Sequence, residues 1–132
     1  MTSFDQLYTV DPDKAARGVW SEPDASGATY LVAQYGDLAK ARLEKLQAPH
    51  KRQFDNGTAP IGLRRHLFAQ CLADVVLLDW QDVKPGGKPL PYTKQAAIQL
   101  LESSEYFSDF ILKLAVDKER YDLEAEATAT KN

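Results

Sequence analysis

The chain has 132 residues and 14.7 kDa, 44% apolar and 27% charged, a size and balance that fit one packed domain and argue against wholesale disorder. Its single cysteine, Cys71, excludes an internal disulfide and a four-cysteine zinc site. A formal charge of -3 gives no general attraction to nucleic acid or anionic membrane, and no apolar run reaches the ~18 residues of a membrane helix.

Residues 1–16 show no clear period and are expected to form an extended arm or loop. Asp11 and Asp13 match the first two ligands of a calcium loop, but Ala15 follows at the next alternate position and no glycine supplies the tight turn. Gly18-Val19-Trp20 and residues 28–35 are rich in β-branched and aromatic residues. Pro23-Asp24-Ala25-Ser26-Gly27 between them carries turn chemistry, so a β-hairpin is expected here. Two strands alone are marginal in water, so the hairpin needs helices against it or a sheet to extend, which another copy could supply.

After Gly36 the period becomes helical. Leu38, Ala41, Leu43 and Leu46 follow Asp37 as N-cap, and Pro49 marks the stop. A polar connection runs over residues 47–60, with one helical turn expected around Phe54. From residue 61 to 80, Arg64, Leu67, Phe68, Cys71, Leu72, Val75 and Leu78 trace one helical face. Val76, Leu77 and Trp80 add a second apolar face at its end, which fits either the centre of the domain or a partner surface. Lys84-Pro85-Gly86-Gly87-Lys88-Pro89-Leu90-Pro91 breaks regular structure. Thr93 then suits the N-cap of a short helix bearing Ala97, Leu100 and Leu101. Ser103 or Ser104 suits the cap of a last one, with Phe107, Phe110, Ile111, Leu114, Ala115 and Tyr121 on its apolar face. The expected organisation is thus an extended arm over 1–16, a mostly α domain with a short N-terminal β-hairpin over 17–123, and a flexible polar tail over 124–132.

No pattern of catalytic or cofactor chemistry emerges, and no enzyme, cofactor or metal is expected. Gly86-Gly87-Lys88 lacks the earlier glycine and the Ser or Thr of a phosphate-binding loop. His66 and Cys71 lie five apart on different helical faces, and His50 lies in another segment. Cys71 falls in the apolar stripe, where a thiol behaves as a small core residue. Asp74, Asp79 and Asp82 are close in sequence, but capping and solvation account for them.

Charge is unevenly spread. Residues 40–66 hold seven Lys or Arg against two Asp or Glu, leaving -8 for the remainder. Such a middle can pair with its own acidic ends, bind an acidic partner or contact phosphate. Lys51, Arg52, Arg64 and Arg65 are its candidate contact residues. The nucleic-acid reading is disfavoured by the acidic remainder and by the lack of a helix-turn-helix pattern or aromatic stacking motif.

One ordered set of motifs is more specific. Val75-Val76-Leu77-Leu78-Asp79-Trp80-Gln81-Asp82-Val83 precedes Gly86-Gly87-Lys88-Pro89-Leu90-Pro91-Tyr92-Thr93, a short helix and residues 107–121. With Gly18-Val19-Trp20, the strand 30–35, Gly36 and the helix from Leu38, this order resembles the tail assembly chaperones of tailed bacteriophages over residues 14–121. Asp82 stands where that family would have glycine, and Gln34 and Asp37 where arginine and asparagine are usual.

The resemblance implies a protein of the host cytoplasm, without catalysis or cofactor, that binds the tape measure protein, keeps it soluble and brings tail tube subunits to it. It makes Val76, Leu77, Trp80 and Tyr92 candidate partner-binding residues, beside the four basic ones, although Tyr92 could instead pack over Trp80. A second copy of the chain is a further candidate partner; no membrane is expected. The alternative is a structural virion component of the tail or neck. The resemblance also implies a longer form made by ribosomal slippage, compatible with a run of adenines encoding Thr130-Lys131-Asn132.

Overall fold

In the computed structural model, which describes residues 2–123, the chain is mostly α with a small antiparallel sheet. Two short helices, α1 (Phe4–Tyr8) and α2 (Pro12–Arg17), lead into strands β1 (Val19–Trp20) and β2 (Thr29–Val32). Helices α3 (Asp37–Gln47), α4 (Lys51–Asp55) and α5 (Ile61–Val75) follow, then strand β3 (Leu77–Gln81), α6 (Lys94–Ser103) and α7 (Glu105–Ala115). A 3-10 turn at Lys118–Tyr121 closes the described chain. The polar tail over 124–132, with its adenine-compatible codons, lies outside the described residues.

The start of the chain differs from the extended arm expected. Ser3 and Gln6 form a reciprocal capping box on α1, while Asp11 caps α2 with Pro12 in its first turn. These caps satisfy backbone donors that an arm would leave to water.

The expected hairpin is present, with Trp20 opposite Leu31 and Val19 opposite Val32. Gly27 takes φ 91 in its turn, the left-handed region that glycine enters freely. The sheet is completed by the chain itself, in the order β1-β2-β3. Here the structure corrects the helix expected to run to Trp80. It ends at Val75, and Leu77–Gln81 pairs with β2, Tyr30 opposite Trp80 and Leu31 opposite Asp79, with a register shift between Leu31 and Val32. A run apolar on every side fits a buried strand as well as a buried helix, so the apolar pattern alone does not choose between them.

Packing follows from this switch. Helix α5 packs on α3 and α6 and buries Cys71 and Leu72, and Val32, Leu77, Leu101 and Ile111 join them in one core. Helix α7 covers the sheet, with the Phe107 and Phe110 rings each 5.6 Å from that of Tyr30. Asp74 fastens the helices: Arg42 of α3 donates to Oδ2 at 2.8 Å through Nε, and Lys94 of α6 lies 3.3 Å from Oδ1. Asp82 takes φ 62 just after β3. That conformation accounts for the glycine expected there from the resemblance, and aspartate is among the few other residues that tolerate it.

The hairpin turn is organised by Asp24. Its Oδ1 accepts from the Ser26 and Ala28 N–H groups and the Ser26 hydroxyl, and its Oδ2 from the Tyr30 hydroxyl at 2.7 Å. Burial pushes the carboxyl up, but these bonds together outweigh it and hold Asp24 below its ordinary range.

Two measurements test this architecture. Leu72 is fully buried in the last turn of α5, so Leu72→Ala is expected to lower unfolding free energy by roughly 2–5 kcal/mol in chemical denaturation. A carboxyl with a depressed folded pKa stabilises above its unfolded value, ~3.9, and loses that contribution as pH falls through the folded one. Asp24→Asn is therefore expected to be less stable than wild type near neutral pH, with the difference shrinking below about pH 4.

Candidate interaction surface

The structure separates the candidate residues into a core set and a surface set. Val76 and Leu77 are fully buried and Trp80 is 4% exposed, which corrects their assignment to a partner surface. Trp80 donates its indole N–H to the Leu90 carbonyl at 2.8 Å and meets the Tyr92 ring edge-on at 5.0 Å. The Tyr92 hydroxyl donates to the Leu77 carbonyl at 2.7 Å. Tyr92 thus closes the proline-rich loop over β3, a structural role that leaves its hydroxyl engaged. Burial raises its pKa, with Asp79 and Asp74 adding to the effect.

The basic residues are exposed but fall in two places. Lys51 forms an ion pair with Asp55 at 2.7 Å on α4 and borders a shallow hollow with Glu44 and Phe54. Arg52 is also on α4. Arg64 and Arg65 lie on α5, beside a groove between α5 and α7 of about 380 Å³. Ile61, Phe68 and Ser108 supply its floor and lip. Ile61 is 63% exposed, while Phe68 packs against the core and stacks obliquely near Tyr35. Ser108 donates its hydroxyl to the Leu101 carbonyl at 2.6 Å, so this polar group is satisfied inward. Arg65 pairs with Glu105 of α7 across the groove.

This groove was not legible in the sequence. Ile61 is the first residue of α5, a detail that follows from Pro60, but the approach of α5 to α7 is tertiary. Other apolar side chains are exposed on α1, where the Phe4 and Tyr8 rings lie 4.9 Å apart.

A second hollow, about 420 Å³, lies between the hairpin turn and the α6–α7 junction, with Tyr30, Phe107, Asp82 and Lys84 on its walls. The hydroxyls of Ser26 and Ser103 there donate to Asp24 and to the Leu100 carbonyl. Cys71 is buried and its thiol is pushed up to about 11 by burial, with Asp74 adding to the effect. Among the described residues, no three His, Cys, Asp or Glu side chains are grouped to hold a metal ion, and no helix is long and apolar enough to cross a membrane.

Comparison with known proteins adds a family. The model of the YdaY prophage protein family matches residues 35–132, from the end of the hairpin onward. The chain belongs to this prophage protein family. No curated protein and no solved structure matches it. The matched residues include β3, the loop that Tyr92 closes, and both walls of the α5–α7 groove.

The core assignment has a direct check. Trp80→Ala is expected to cost roughly 3–5 kcal/mol, the range for removing a large buried aromatic, and to shift the denaturation midpoint accordingly. A shift within the ~0.5 kcal/mol of surface changes would return Trp80 to the surface set.

Proposed function

We propose that this prophage protein is a tail assembly chaperone: it binds the tape measure protein of its own phage, keeps it soluble and helps recruit tail tube subunits. The observation that carries this reading is the ordered motif set, from Gly18-Val19-Trp20 through Asp79-Trp80 to Tyr92-Thr93, in a chain of prophage family. The structure lends the reading a physical means. Exposed Ile61 beside the α5–α7 groove, and Phe4 and Tyr8 on α1, are apolar surface available for a partner. A long helical partner with unpaired apolar faces self-associates in water, and covering those faces in the helix-in-groove manner keeps it dispersed.

Such a holdase acts by mass action alone, so the proposed mechanism needs no nucleotide or metal. Binding at a hundred times the dissociation constant favours the bound form by about 2.7 kcal/mol. The experiment is co-expression with the tape measure protein encoded in the same prophage. The soluble fraction of the tape measure is expected to rise, and the two chains to co-purify. If the tape measure stays insoluble and nothing co-purifies, the chaperone reading is wrong.

A further inference from the structure

We infer that the groove between α5 and α7 is the docking site for one amphipathic helix of the partner, with an acidic edge toward α5 and a basic edge toward α7. This rests on the chaperone reading and names the surface that performs it.

The charges around the groove are the reason. Arg65 and Glu105 neutralise each other across it. Arg64 on the α5 wall and Asp109 on the α7 wall also line it, and neither side chain has an ion-pair or hydrogen-bond partner among the described residues. The groove therefore offers an apolar floor between one free cation and one free anion. A helix carrying an apolar stripe between acidic and basic rows meets all three features. Rows of this kind set partner choice and orientation in paired helices. Nucleic acid fits poorly, because Asp109 and Glu105 would face its phosphates.

The floor points the same way. Ser108 is the one polar floor group and spends its hydroxyl on Leu101, so an apolar side chain laid over it strands no donor. Ile61 stands 63% exposed at the groove end, where a partner's apolar side chain would cover it. As the first residue of α5, Ile61 can also be exchanged for aspartate without opposing the helix dipole.

The test uses the full chain co-expressed with the tape measure protein, reading the amount of tape measure retained per mole of chaperone. Ile61→Asp is expected to reduce retention at least tenfold, and Arg64→Glu and Asp109→Lys each about three- to tenfold, as reversal turns attraction into repulsion. Circular dichroism and thermal melting of each variant alone verify folding, and Ile61→Leu is expected to retain wild-type binding. If wild type retains the tape measure and the folded Ile61→Asp and Arg64→Glu variants do so equally, the groove inference is overturned while the chaperone reading stands. If wild type retains none, both fall. Light scattering covers the remaining occupant: a wild-type oligomer that Ile61→Asp dissociates would make the groove a contact between copies and overturn the inference.

Discussion

The pairing of β2 with Leu77–Gln81 is the constraint on which the rest of the molecule depends. Residues 29–32 are too apolar to stand in water and too few to be stable as half of a two-stranded hairpin. The chain answers by ending α5 at Val75 and laying its most apolar run alongside β2. That places Val76 and Leu77 at the domain centre and leaves α5 free to pack laterally on α3 and α6. It also explains the loop that follows. A third strand creates a new sheet edge, and the Tyr92 hydroxyl and the Asp79 carboxylate satisfy backbone groups along it, while the Leu90 carbonyl takes the Trp80 indole N–H. Covering an edge in this way removes a template for unwanted pairing.

The opposite side of the sheet is closed by the last described turn. Arg120 donates to the Val19 carbonyl at 2.6 Å and to the Leu114 carbonyl at 3.0 Å, joining β1 to α7. Tyr121, fully buried, donates its hydroxyl to the Val32 carbonyl at 2.8 Å. Its own carbonyl accepts from the Asp11 N–H, while Lys14 and Lys118 reach the backbone at Asp122 and Gln6. The first and last described segments are thus tied to each other as well as to the sheet. Each bond is modest alone, but the guanidinium, hydroxyl and carbonyls are mutually satisfied in low dielectric, where leaving one unpaired would be costly.

Local chemistry was largely legible in the sequence. Thr93 and Ser104 cap α6 and α7 as their hydroxyls predict, the hairpin lies where its turn residues place it, and Cys71 is a core residue. What periodicity could not decide was the conformation of residues 76–80, because a segment buried on all sides has no solvent face to reveal its period. The same ambiguity produced the misplaced partner surface: an apolar excess at a supposed helix end looks unsatisfied until a strand partner absorbs it. The short helices at the start were missed because their signals are caps alone, with no apolar period in five or six residues. The α5–α7 groove depends on how two distant helices approach, which no local signal encodes.

The charge pattern changes meaning once the fold is known. In sequence the middle of the chain is a block of positive charge, which points outward to an acidic or phosphorylated partner. In the fold much of that charge is spent internally: Arg42 on Asp74, Lys51 on Asp55 and Arg65 on Glu105. The two exposed pairs, Lys51–Asp55 and Arg65–Glu105, contribute at most about 1 kcal/mol each to stability, yet they alter what the surface can recognise. Neutralisation leaves Arg64 and Asp109 facing each other's side of an apolar groove, a mixed pattern rather than a basic one. A phosphate backbone would meet attraction and repulsion there in nearly equal measure, whereas a helix with charges of both signs beside its apolar stripe would meet only attraction in one orientation. In the proposed docking, selectivity would come from the repulsion that the reversed orientation incurs, and a shallow surface on a small domain would become a directional one.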